Sequence, residues 1–323
     1  MIFVGNDNFP YCVNAAIEKQ VAEYNESVAR HLKGISFDYQ ISVTGLNKSP
    51  RQMALIKRHY DDIVVKAEDR SHLLDGSVFH SILENNPEPG ALIENRFGLK
   101  FKIQGRIVYI HGAADYYHPE KKLLLDYKRT SIFSLSTPKD DYEFQLNALA
   151  LLIKGQKSHT YEVEEIGNVF SIKDWRSSRR GINGYPDLPI ITRKYKMWDS
   201  SAIAVEIAKR ARDHMLASDT PDEKLPYCSD EFRWKRDKFR IRKFTKGGVL
   251  SKSSSGTYPT EDEARLAAEE KGIELYQLER FPGSPLKCIK FCDVSNFCSQ
   301  RQMEIVSSKE TKEEQDIDVE DII

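Results

Sequence analysis

Between residues 99 and 130 the apolar positions recur at every second residue. Leu99-Lys100-Phe101-Lys102-Ile103 alternates, Arg106 to Ile110 forms another run, and Leu123-Leu124-Leu125 opens a third. A period of two predicts strands, and His118-Pro119-Glu120-Lys121 between the last two runs predicts a hairpin turn. On both sides the spacing lengthens toward the helical period. Roughly the first 70 residues read mainly as helix, with a turn around Thr44-Gly45-Leu46-Asn47 and a helical run to about Ala67. A helix is predicted after Gly76, burying Val78, Phe79, Ile82 and Leu83, and another from about Tyr142 to Lys154. Tyr161 to Ile172 reads as strand and Lys194 to Ala217 mostly as helix. An insertion, 232–285, carries an alternating basic strand, the flexible Gly247-Gly248 and Ser251–Gly256 stretches, and a helix over Glu261–Lys271. Interspersed strands and helices predict an α/β chain.

With 323 residues, 40% hydrophobic and 30% charged, the chain can bury a sizeable core in one large domain or two modest ones. The longest apolar run, Ala148–Ile153, is far too short for a membrane span. The N-terminus, MIFVGNDNFPYC, has no basic stretch leading into an apolar one, so no signal peptide and an intracellular, cytoplasmic protein are expected. The net charge of −1 hides two opposed segments. Residues 309–323 hold seven acids and two lysines, a net −5 that leaves +4 on the remainder. This end is expected to be a disordered acidic tail (306–323) able to recruit a basic partner or compete for a basic strand. Arg233–Lys246 holds eight basic residues and one acid.

Candidate chemistry begins on the hairpin. Asp126 and Lys128 share one strand face. With the turn near Pro119, Asp115 is expected opposite Leu124 and diagonal to Asp126, roughly 7–8 Å away. Two carboxylates at that distance can share a divalent ion, and hard oxygen donors suit magnesium or manganese. A lysine beside them can orient or deprotonate a metal-bound water and stabilise negative charge on a phosphate. His80, with Glu84 one turn later, lies on the helix after Gly76. Glu94 falls between that helix and the sheet, and Gln145 on the helix after the hairpin.

The order His80, Asp115, Asp126-Tyr127-Lys128, Gln145 resembles the PD-(D/E)XK nuclease superfamily in its RecB-like branch, and phage nucleases above all. The resemblance covers about Ser42 to Gln300 and includes Leu225-Pro226-Tyr227-Cys228-Ser229-Asp230-Glu231-Phe232-Arg233-Trp234. It implies a restriction-endonuclease-like core, a mixed sheet flanked by helices, with a cysteine-stapled C-terminal subdomain. It also implies that His80, Asp115, Asp126 and the Tyr127 carbonyl hold the metal. Lys128 is then the catalytic lysine and Gln145 the glutamine of a Q-x-x-x-Y motif; Glu94, outside the motif, is a candidate for a second ion or none. The motif tyrosine is replaced by Leu149. The implied activity is metal-dependent DNA hydrolysis, exonucleolytic, in recombination, replication or repair of a phage or bacterium. A structure-specific or spacer-processing endonuclease and a catalytically silent DNA-binding module are the alternatives.

Cys228, Cys288, Cys292 and Cys298 are clustered, with Cys12 apart. Four thiolates can close a zinc site or an iron–sulfur cluster; the resemblance favours a 4Fe-4S cluster. For DNA, the basic candidates are Arg233, Lys235, Arg236, Lys238, Arg240, Arg242 and Lys243, interleaved with Trp234, Phe239 and Phe244. Lys173, Trp175, Arg176, Arg179 and Arg180 repeat the composition. Cations and rings together suit single strands or ends, without sequence reading. The expected organisation is a core over 1–227, a cysteine subdomain over 228–305 and the tail.

Overall fold

A computed structural model describes residues 1–136, 140–182 and 184–306; the acidic tail at 309–323 lies outside the described residues. The chain divides into two compact units, 1–54 with 60–220, and 55–59 with the described residues from 221 on. It is a mixed α/β chain.

Unit 1 runs through β1 (Ile2–Val4), α1 (Tyr11–Leu32), β2 (Tyr39–Ser42), α2 (Val43–Leu46), α3 (Pro50–Arg58, whose end belongs to unit 2) and β3 (Val64–Lys66). It continues through α4 (Ala67–Glu84), β4 (Leu92–Ile103), β5 (Arg106–His118), β6 (Leu123–Thr130), α5 (Ile132–Ser136) and α6 (Asp140–Lys154). β7 (Glu165–Ile172), β8 (Ile190–Tyr195) and α7 (Ser200–Asp219) complete it. β1 and β3 make a small parallel pair; the other six strands form one mixed sheet.

β5 is the hub of that sheet. One edge pairs antiparallel with β4 from Arg106↔Ile103 to Tyr117↔Leu92. The other edge is shared: Val108–His111 pairs parallel with β2, and Tyr116–His118 pairs antiparallel with β6. Between those two partners, from Gly112 to Asp115, β5 has no strand beside it on that edge. β6 continues away, pairing parallel with β7, which pairs antiparallel with β8. The two strands of the hairpin therefore separate after three rungs.

The main core joins β2, β4, β5, β6, α6 and α7 through Ile41, Val108, Ile110, Leu124, Leu146, Leu152, Ile207 and Met215. Asp140, Asp141 and Glu143 in the first turn of α6 and Lys154 in its last suit the helix dipole.

Several expectations need correction. Thr44–Asn47 is not a turn between helices: Ser42 ends a strand and caps the one-turn helix α2 by accepting from the Gly45 N–H. Gly76 does not precede a helix but sits inside α4. Val78 and Ile82 are more than half exposed rather than buried, because α4 turns Phe79 and His80 toward β6 instead. β1, β2 and β3 lie in the region expected to be mainly helical, and β8 opens the span expected as helix from Lys194.

Unit 2 contains β9 (Lys238–Lys243), β10 (Gly256–Tyr258), α8 (Glu261–Glu269), β11 (Tyr276–Phe281) and α9 (Leu286–Lys290), followed by a helix over 299–306. The strands form an antiparallel sheet in the order β10-β9-β11. Ala264 and Ala268 of α8 pack on Ile241, with Phe239, Tyr258, Tyr276 and Leu278 around them. Two of these strands, β10 and β11, add to the single basic strand and helix anticipated from the sequence. Among the described residues no helix is long and apolar enough to cross a membrane.

Candidate active site at the parting of the hairpin

The hairpin closes at His118↔Leu123, and its last rung is Tyr116↔Leu125. The turn is thus one register step later than expected, and Asp115 lies one residue beyond the ladder, level with Asp126 rather than with Leu124. Instead of a further rung, the Tyr127 N–H donates to Asp115 Oδ2 at 2.7 Å. β4 is interrupted at the same level. Ile93 pairs with Tyr116 and Asn95 with Ala114, while Glu94 between them has φ of +48°. A left-handed glutamate within a strand is a strained position of the kind that gathers at working sites. Asp126 in turn pairs with Asn168 of β7. Glu94, Asp115, Asp126 and Asn168 thus occupy one level across four adjacent strands.

Two groups of side chains meet there. Around Asp126, Lys128 Nζ donates at 2.8 and 2.7 Å to the two carboxylate oxygens. Gln145 Nε2 of α6 donates at 2.9 Å, and Asn168 Nδ2 at 2.5 Å. Asp126 is only 5% exposed, so these donors meet the requirement that a buried carboxylate be hydrogen-bonded or paired. The second group is His80, Glu84, Glu94 and Asp115. His80 Nε2 donates to the Tyr127 carbonyl at 3.2 Å. Its Nδ1 lies 3.5 Å from Glu94 Oε1 and 3.9 Å from Asp115 Oδ2. One donor atom each from His80, Glu84 and Glu94 fall within 4.8 Å of one another, a spacing at which a metal ion can be held. The Tyr127 peptide joins the two groups, its N–H on Asp115 and its carbonyl on His80.

The electrostatics follow from this crowding. Burial, then the neighbouring Asp126, raises the Asp115 carboxyl to about 7. The hydrogen bond to Glu94 raises His80, with the Asp115 charge adding to it. Burial and then Glu94 raise Glu84. Burial would lower Lys128, but Asp126 and Asp115 outweigh it and hold the amine above its ordinary value. Lys128 is therefore an ammonium at neutral pH, able to orient and to stabilise negative charge but not to take a proton. Carboxylates pressed together beside an imidazole and a carbonyl oxygen are a donor set suited to a hard divalent cation.

His80, Glu94, Asp115, Asp126, Tyr127, Lys128 and Gln145 are therefore all assembled in one place. The Asp126 oxygens are engaged by three donors and the Tyr127 carbonyl by His80, while Glu84, Glu94 and Asp115 crowd around the His80 ring. Sequence reasoning passed over Glu84 as a ligand and missed Asn168 altogether. The one available signal for Asn168 was an amide side chain in a strand, Ile166–Ile172, whose other residues are apolar or small. Leu149, at the motif's tyrosine position, is buried against Gly112.

The β7–β8 connection holds Lys173 and Trp175–Arg180. The Trp175 Nε1–H donates to the Pro186 carbonyl at 2.8 Å, and the ring lies under Arg180 and beside the cluster of Leu135, Phe170 and Ile172. Arg179 lies over Tyr185.

In unit 2 the predicted phosphate contacts separate. Lys238 and Arg240 are exposed, and so are Arg236 and Lys243. Lys235 is half-buried, 4.0 Å from Asp230. Arg233 is a correction: it is 6% exposed and its guanidinium is held by Glu304 at 2.6 Å, because the chain turns it inward under the C-terminal helix. Trp234 packs on Phe291 and under Lys287. All four cysteines of the cluster are free thiols. Burial raises Cys292 to about 11, with Cys288, Cys298 and Cys228 each adding. Burial also raises Cys288, and Cys228 and Cys298 act on it in turn. Gln300 clamps the Cys228 peptide, accepting from its N–H at 2.8 Å and donating to its carbonyl at 3.1 Å. The four are thus neighbours in unit 2, while Cys12 stands in unit 1.

No protein-family model matches the chain, and no curated protein matches it. Among solved structures it is similar to the crystal structure of SSO0001 at 18% identity and a TM-score of 0.41, covering 65% of this chain and 94% of that one.

Proposed function

We propose that unit 1 is a restriction-endonuclease-like core of PD-(D/E)XK type and that the protein is a metal-dependent deoxyribonuclease. The observation that carries this reading is the arrangement at the parting of the hairpin. Glu94, Asp115 and Asp126 stand at one level of the sheet, with His80 and Lys128 against them. In this reading His80, Asp115, Asp126 and the Tyr127 carbonyl, with Glu84 and Glu94 beside them, hold magnesium or manganese. A bound divalent ion supplies Lewis-acid polarisation of the phosphate and a lower pKa for water. The chain's own residues do the rest. Lys128, an ammonium fixed by Asp126, orients the attacking water and stabilises charge on the phosphoryl oxygens. Gln145 and Asn168 fix the Asp126 carboxylate so that Lys128 has one position. The Tyr127 peptide keeps His80 and Asp115 in register.

The exonuclease reading, in phage or bacterial recombination, replication or repair, rests on the family resemblance. DNA contacts are proposed for the exposed cations among Lys173–Arg180 and Arg236–Lys243. Cys228, Cys288, Cys292 and Cys298 are proposed to bind a 4Fe-4S cluster, with zinc as the competing occupant. Their raised thiols require a positive partner to become ligands, which suits either.

The test is cleavage of end-labelled linear duplex and closed circular DNA in magnesium, manganese or chelator. Wild type should shorten linear DNA only with metal. Asp126→Asn and Lys128→Met should each lose activity on the order of 100-fold or more. Wild-type activity no higher than that of Asp126→Asn would end the nuclease reading, and cutting of closed circles would replace the exonuclease by an endonuclease.

A further inference from the structure

The basic strand of unit 2 alternates, and the fold divides its residues between two environments. Phe239 and Ile241 point to α8 and are packed with Ala264 and Ala268. Lys238, Arg240 and Arg242 therefore stand on the face away from α8, the helix that packs on this sheet among the described residues. Their cross-strand neighbours are Phe281, Glu279 and Gln277 on β11, and Thr257 on β10 beside Arg240. Arg242 pairs with Glu279 at 2.8 Å and donates to the Ser251 carbonyl at 2.6 Å. The connection from β9 to β10 carries Lys246 and Lys252, both exposed, and a run of serines.

The charge on the opposite side has the other sign. α8 and the two residues after it carry Glu261, Asp262, Glu263, Glu269 and Glu270 against Arg265 and Lys271, a net −3. The module is thus polarised, cationic on the open sheet and anionic on the helix. Such a division is not needed for solubility, which mixed charges serve equally well.

The aromatic residues decide what polyanion fits. In sequence they alternate with the cations and suggest stacking on bases. In the fold Phe239 is in the α8 core, and Phe244 is folded into its own hairpin bridge with Leu250. The ring left on the open face, Phe281, lies against the Arg240 guanidinium, 4.2 Å from its centroid. Trp234, ahead of β9, packs on Phe291 under Lys287, so among the described residues the face offers cations and the Thr257 hydroxyl but no free stacking platform, which unstacked bases require. Phosphates arrayed on a duplex need only the former.

We infer that the open face of β9–β10–β11 is a docking surface for the backbone of duplex DNA rather than for single strands. This rests on the DNA reading above but not on hydrolysis.

Binding is therefore measured on the full chain in chelator, by fluorescence anisotropy with a labelled blunt duplex and with one of its strands. Wild type should prefer the duplex. Lys238→Ala/Arg240→Ala, both exposed, should weaken duplex binding about tenfold or more and reduce the salt slope by about 2. Arg265→Ala/Lys271→Ala, an equal loss of charge beside the acidic helix, should leave duplex affinity unchanged, and matched thermal melts of both variants show that the fold is retained. Unchanged duplex affinity in the first variant, an equal loss in the second, or tighter binding of the single strand would each overturn the inference. A protein that binds duplex through this face yet never cleaves would keep the inference and lose the nuclease.

Discussion

Gly112 of β5 lies directly against Leu149 of α6. A Cβ there would lie 2.6 Å from Leu149 Cδ2, with Val43 next at 3.4 Å. Leu149 occupies a position where the family resemblance leads one to expect tyrosine, and its apolar branch fills the space over the hub strand three residues before Asp115. Gly112→Ala should therefore destabilise by about 1–3 kcal/mol through overpacking. Leu149→Ala alone leaves a cavity. Combined, the two should recover a substantial part of the loss, giving a coupling of about 1 kcal/mol or more in a denaturation double-mutant cycle. Simple additivity would contradict the contact. Asn168 shows the limit of reading residues singly. Its contribution is a pair of hydrogen bonds from one amide across a parallel ladder, to the Asp126 carboxylate and carbonyl, and no spacing in the sequence links it to Asp126.

At the scale of elements, α4 carries His80 and Gly76 together, and Gly76 has nothing within 4 Å of where a Cβ would stand. It lies mid-helix without a steric reason, so Gly76→Ala should raise stability by about 1 kcal/mol, read from the urea midpoint. A loss instead would mean that the site requires that space or backbone freedom. The hairpin was legible because two alternating runs flank a proline turn, and α6 because its apolar positions keep a helical period between acidic and basic ends. The start of α4 was not legible. Glycine usually marks a boundary, and the half-exposed Val78 and Ile82 mimic a buried stripe. β2, β3 and β10 were missed because strands of three or four residues offer too little alternation to count. The order His80, Asp115, Asp126, Lys128 was visible in sequence, but its convergence required strand register, which shifted by one step from the turn position first assumed.

For the molecule as a whole, acidification acts through groups of opposite sense. Burial pushes both His111 and His214 down to about 4 from the ordinary 6.5. The fold keeps their rings neutral, so their contribution is complete above 6.5 and is lost as pH falls toward 4. By pH 5 each has lost about 2 kcal/mol. Asp115, raised to about 7, binds its proton in the fold before the unfolded chain does, and gains about 2 kcal/mol between pH 7 and 5. Asp115→Asn lacks that gain, so in chelator its stability should fall over this interval more steeply than that of wild type. Parallel curves would contradict the placement of Asp115. Unit 2 has a separate dependence. If the four cysteines bind a cluster, Cys292→Ser should remove the metal and the broad visible absorption of iron–sulfur, and lower the melting temperature. An unaltered melt in a metal-free wild type would show that the thiols are structural only.

The bond from the Tyr127 amide to Asp115 makes this acid a wedge in an otherwise closable zip. It occupies the amide that would form the next rung with β5, and so holds the teeth apart at the place where, in the proposed nuclease, a phosphate would enter. An alanine at 115 would remove the wedge along with the ligand, freeing β5 and β6 to close by another step. Loss of activity in such a protein would be ambiguous between chemistry and access. Asparagine keeps an oxygen for the amide while deleting the charge, which makes it the substitution that separates the two roles.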